Sequence, residues 1–133
     1  MKSLPVADVS SSNIASYLTA AAERAPARVA VLYPRREKAG RVIYGSMTFQ
    51  QLDEESDRYA HGLAKIGIVR GSRVLMMIPP GIEFLALTFA LFKAGAVVIL
   101  VDPGMGRSNL LHCIGEVEPE ALIAVPLVHA LKK

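Results

Sequence analysis

A chain of 133 residues with fifteen basic and twelve acidic side chains is one domain's worth of material and can bury a real core. It is 52% hydrophobic, yet its longest apolar stretch, 82–101, is broken by Lys93, Gly95 and the Pro80-Gly81 entry, which excludes a transmembrane span. The single cysteine, Cys113, excludes an internal disulfide and fits a reducing cytoplasm, and Met1 to Pro5 lacks the apolar core of a secretion signal.

Residues 1–12 read as a flexible lead and 13–133 as the folded unit. Ser11, Ser12 and Asn13 offer N-caps for a helix with apolar positions Ile14, Tyr17, Leu18, Ala21 and Ala25, stopped by Pro26. Val29 to Tyr33 is a short strand. A charged turn from Pro34 to Gly40 leads into Arg41 to Tyr44, which makes a small antiparallel hairpin. Arg35, Arg36, Lys38 and Arg41 cluster in this turn. Without interleaved aromatic residues they read as a solvated loop, and no nucleic-acid partner is expected.

The next helix is announced by a capping box, Thr48 with Gln51, and by Met47 and Leu52 placed as a hydrophobic staple. Phe49, Leu52, Ser56, Tyr59, Ala60 and Leu63 form its buried stripe, while Asp53, Glu54, Asp57, Arg58, His61 and Lys65 turn toward water. Gly67 supplies the left-handed stop, with Ile68 placed to touch Leu63.

Residues 71–78 and 97–101 are apolar runs without period-two alternation, the pattern of strands buried on both faces. The segment 82–94 between them is helical, so the three form a βαβ unit with parallel neighbouring strands. On that helix Ile82, Leu85, Phe89 and Phe92 share one face, and Phe84, Leu87 and Leu91 the opposite one. One face can cover the sheet. The other needs cover too, either from this chain's own helices or from polypeptide not present here.

A short helix from Ser108 to Glu116, a third buried strand at 121–125 and the start of a helix at 127–133 complete the series. The fold class is therefore α/β: a helix–hairpin–helix followed by a βαβαβ half of a doubly wound parallel sheet, incomplete. A helix interrupted after one turn fits that reading. The Gly104 to Ser108 loop follows a buried strand and opens a helix, where backbone can approach an anion, but it lacks the third glycine of a dinucleotide fingerprint. His61, His112 and His129 share no metal-ligand spacing. Ser108 and His112 lie four apart with no carboxylate placed to orient the imidazole. Cys113 reads as a small buried apolar residue, and Met76 and Met77 as core.

Two segments carry a family resemblance. Met47-Thr48-Phe49-Gln50-Gln51-Leu52 is similar to the "(L/M)-T-(F/Y)-x-x-L" opening motif of AMP-forming acyl and aryl ligases, the adenylate-forming superfamily. Lys93-Ala94-Gly95-Ala96, continuing to Val101-Asp102-Pro103, resembles its "(L/K)-A-G-A-x-x-x-P-(I/L)-(D/N)-P" motif, with Leu100 where the family usually has Pro. Pro26 with Ala30, and the strand and turn from Gly71 to Gly81, fit the same pattern over residues 13–125. The Asp102-Pro103-Gly104-Met105-Gly106 version looks most like the fatty-acid branch, including the β-lactone synthetases of olefin pathways.

The resemblance implies a reaction in which a carboxylate and ATP, with Mg²⁺, give an acyl-AMP and pyrophosphate. CoA or an internal hydroxyl then displaces AMP. It also implies that Gly104 and Arg107 lie near the thiol-acceptor channel. The family's phosphate-binding Ser/Thr/Gly-rich loop, ribose-binding Asp and C-terminal catalytic Lys have no counterpart in these residues. The chain is thus expected to be inactive alone and to need no cofactor by itself. Its partner would be the remainder of a ligase, on the same polypeptide or another, acting on a fatty acyl substrate. The alternative is a non-catalytic module that pairs through the apolar helix 82–94.

Overall fold

Local chemistry fixes the second helix before any packing does. In the computed structural model, which describes residues 13–125, Thr48 Oγ1 accepts from the Gln51 N–H at 3.2 Å and Gln51 Oε1 accepts from the Thr48 N–H at 2.9 Å. This reciprocal cap starts α2, Phe49–Lys65. At its far end the Ile68 N–H donates to the Leu63 carbonyl and the Gly67 N–H to that of Ala64. With Gly67 at φ +91°, this is a Schellman stop. Leu52, Ser56 and Leu63 are buried along the stripe. The expected lead 1–12 and the helix begun at Leu127 lie outside the described residues.

α1, Ala15–Arg24, is held at its start by Asn13, whose Oδ1 accepts from the Ala15 N–H. It turns Ala15, Leu18 and Ala22 inward, leaving Ile14 and Tyr17 exposed. The hairpin departs from the sequence reading. β1 runs over Val29–Lys38 and β2 over Arg41–Thr48, joined by Ala39 and Gly40 alone. Both turn residues have positive φ, 51° and 72°, the geometry whose twist matches the flanking strands. The charged segment expected as a turn is therefore strand. Pro34 is absorbed at an irregularity between Pro34 and Arg36, where a missing N–H costs little. Gly45 lies under Tyr33 and Arg35; a Cβ there would stand 2.7 Å from the Tyr33 ring.

The parallel sheet contains β3, Arg73–Met77, β4, Val97–Leu100, and β5, Ala121–Ala124, in the order β4-β3-β5. Leu75 pairs with Ile99 on one side and Leu122 on the other. α3, Ile82–Lys93, crosses from β3 to β4, and α4, Arg107–Val117, crosses from β4 back past β3 to β5. Right-handed crossovers in opposite directions put these two helices on opposite faces.

α3 is covered on both sides by this chain. Leu91, fully buried, packs with Val74, Met76 and Leu63, with Phe84 and Leu87 against the same cluster. On the other side Ala86 joins Leu18 of α1 and Leu52 of α2, with Phe89 against them. The open question about its second face is thus answered by α1 and α2. α1 and α2 take up much of the surface through which a stand-alone module would pair, leaving Leu85 and Phe89 half-buried along a groove shared with Ile14 and Tyr17.

A polar contact closes the same corner. Lys93 Nζ lies 2.7 Å from Asp53 Oδ1 and 2.7 Å from Asp57 Oδ1, and Thr19 Oγ1 donates to Asp53 Oδ1. Asp53, expected in water, is only 17% exposed in its side chain, and Lys93 13%. Burial, with the Glu55 carboxylate adding to it, raises the Tyr59 hydroxyl above its ordinary pKa.

Candidate functional site

In an open α/β sheet the carboxyl ends of the strands, where successive crossovers diverge, form the natural crevice. Strand order β4-β3-β5 puts that divergence at β3. A cleft of 610 Å³ opens there, lined by Met76 to Pro80 at and beyond the end of β3, Leu100 to Asp102 at and beyond the end of β4, Val125 after β5 and Phe84 of α3. Such a volume suits a small ligand or an acyl segment.

Its chemistry is almost wholly apolar. Asp102 is the one ionisable residue on its wall among the described residues, and its Oδ1 accepts from the Gly104 N–H at 2.7 Å. The Met105 N–H donates to the Asp102 carbonyl, closing a single 3-10 turn over Pro103–Met105. Asp-Pro-Gly is a turn signal, and this local role for Asp102 was available in the sequence but was not drawn from it. Gly106, at φ +87°, then leads into α4.

Neither of the predicted positions, Gly104 and Arg107, is among the described residues that line this cleft. The Gly104 amide is spent on Asp102, and an added Cβ there would sit 3.1 Å from Asp102 Oδ1. Arg107 is the first residue of α4, is exposed, and makes no ion pair among the described residues. Of the other candidates, His112 does have a carboxylate nearby, contrary to expectation. Glu116, one helical turn on, lies 3.4 Å from its Nε2, with both side chains exposed. Cys113 is half-buried, not fully buried. Met76 is core, as expected.

The described residues do not fit ATP with Mg²⁺. No group of three or more His, Cys, Asp or Glu that could hold a metal occurs among them, and the cleft offers apolar walls where phosphates need donors. Nor is any described helix long and apolar enough to cross a membrane.

The comparisons with known proteins agree with this architecture. Residues 18–133 match the family model described as AMP-binding enzyme. The olefin beta-lactone synthetase of Stenotrophomonas maltophilia is 44% identical over 123 residues, covering 90% of this chain and 22% of that protein. Its namesake from Xanthomonas campestris is 42% identical over 123 residues, 91% of this chain and 22% of the relative. Among solved structures, the Klebsiella oxytoca NpsA N-terminal subdomain in complex with 3-hydroxyanthranilyl-AMSN superposes with a TM-score of 0.75 at 21% identity, over 87% of this chain and 28% of that one. The fatty acid AMP ligase from Legionella pneumophila gives 0.71 at 19%, over 84% and 19%. This chain thus spans about a fifth of the length of these curated relatives. It belongs to the AMP-binding enzyme family, of whose adenylate-forming fold it supplies an N-terminal portion.

Proposed function

We propose that this chain is scaffold for an ATP-dependent carboxylate–AMP ligase whose acid is a fatty or β-hydroxy fatty acid. The observation that carries this reading is 44% identity, held over 90% of the chain, to a protein named an olefin beta-lactone synthetase. The apolar cleft at the strand ends supports it, since a hydrocarbon substrate needs such walls. In the whole ligase the acid and ATP would give an acyl-AMP and pyrophosphate, after which a hydroxyl or thiol displaces AMP. Backbone donors and Mg²⁺ for that step would come from segments other than these residues.

What this chain contributes is position. β3 and α3 form a fixed floor, and the Asp102 to Arg107 turn projects from it. Arg107 is the side chain we place near the acceptor, where an exposed guanidinium at a helix N-terminus, without an ion pair among the described residues, favours an anionic group. Gly104 serves the same turn by keeping it compact. The lone Cys113 fits a cytoplasmic location.

A chimera tests the reading. This chain replaces the matching segment of the Stenotrophomonas maltophilia protein, and ATP–pyrophosphate exchange is measured with β-hydroxy fatty acids. Exchange by the chimera and none by the isolated chain is the expected result. Exchange by the isolated chain, or a folded chimera that activates only aryl acids, would overturn it.

A further inference from the structure

α1 and α2 cover the second face of α3 except along one groove. It lies between Tyr17 and Leu18 of α1, Val31 of β1, Phe49 of α2, and Leu85 and Phe89 of α3, and holds 380 Å³. Ile14 and Tyr17 stand at its rim, 56% and 58% exposed. The Tyr17 hydroxyl is the only polar side-chain group on this wall among the described residues. Small-molecule sites carry several placed polar groups that fix a ligand's orientation. The groove suits the aliphatic side chains of a peptide segment instead.

The chain carries such a segment at the groove's mouth. Asn13 Nδ2 donates to the Phe92 carbonyl in the last turn of α3, and Asn13 Oδ1 accepts from the Ala15 N–H. These two bonds fix where residues 1–12 join the body: beside Ile14, one helical turn from Phe89. The twelve residues include Leu4, Val6 and Val9, with Lys2 and Asp8 as their only charged side chains. Val9 stands four positions before Asn13, a reach of ~13 Å for extended chain. Phe89 and Leu85 are only about 6 Å apart along their helix.

We propose that residues 1–12 fold back over this groove and seat Val6 and Val9 between Tyr17 and Phe89. Three consecutive serines, Ser10 to Ser12, tether the pair. The contact is intramolecular, so a modest apolar match suffices where a separate protein would also have to offset its lost translational freedom. Docked there, the segment completes the cover of α3 from this chain's own residues. The inference stands apart from the ligase reading.

The chain has no tryptophan, so Val9→Trp reports on the contact in the full chain. Its emission should lie to the blue of that from Lys2→Trp, with several-fold weaker quenching by acrylamide. Adding Ile14→Asp with Tyr17→Asp should bring both readings to those of Lys2→Trp. Circular dichroism should not change, because acidic residues suit the N-cap and first turn of a helix. Val6→Asp with Val9→Asp, which introduces no ring, should speed amide exchange across α1 several-fold and leave α2 as it was. Equal emission from Val9→Trp and Lys2→Trp, protection that survives the two rim aspartates, or unaltered exchange in α1 would overturn the proposal. So would protection that rises with protein concentration, which would give the groove to a second copy. Protection lost in the chimera would likewise overturn it, giving the groove to the rest of the ligase.

Discussion

Leu91 and Leu122 are the same residue type in two differently finished regions. Leu91 sits between α3 and the sheet with no exposed surface, while Leu122, on β5, is 61% exposed. Around α3 the chain is closed on both sides by its own helices and strands. Beyond β3 it is open among the described residues: β4 and β5 are both edges, Val97 and Leu122 are exposed, and α4 buries none of its residues. Parallel sheets normally have both faces covered, because crossover helices lie on each. The contrast separates two jobs within one portion of the fold. One region makes a self-sufficient core, and the other leaves apolar sheet residues exposed, the face that the proposed scaffold role assigns to the rest of a ligase.

The comparison breaks first at Leu91. Leu91→Ala should cost about 3 kcal/mol in urea unfolding, the transfer loss plus a cavity that fixed neighbours cannot close. That is a large part of the stability of any small domain. A cost below about 1 kcal/mol would mean that the α3 core is loosely packed and the contrast false. Lys93→Met comes next. It leaves Asp53 and Asp57 facing each other without their cation, and should cost about 2 kcal/mol, between an exposed pair and a fully buried one. Because the Lys93–Asp53 pair is largely shielded from solvent, most of the loss should persist in high salt. A loss that vanishes with salt would put the cluster at the surface.

How much of this was readable depended on range. The start and stop of α2 came straight from Thr48, Gln51 and Gly67, because capping is decided within one helical turn. The βαβ unit was legible from its apolar runs, and the fold class followed. The hairpin was misjudged because Pro34 and the charges after it look like a turn, whereas Ala39 and Gly40 alone reverse the chain. Asp53 was placed in water because its cation is 40 positions away. The cleft was not legible at all. Its walls gather only once β5 pairs on the far side of β3 from β4, and no local pattern states on which side a third strand will add.

The smallest effect bears most directly on the open region. Leu122→Ala in this chain should change stability by less than about 0.5 kcal/mol, since the side chain gives up little contact. It should also reduce binding of an apolar dye to the exposed sheet face. Placed in the chimera with the rest of the ligase, the same substitution should cost about 2–3 kcal/mol, because the leucine would then be buried. The difference between these two measurements is the cover that the larger protein provides. If both are near zero, the face stays open in the whole ligase, and α4 with β5 must be a surface feature. If both are large, the isolated chain already seals its sheet by a rearrangement of α4, and the division into a finished and an unfinished region fails.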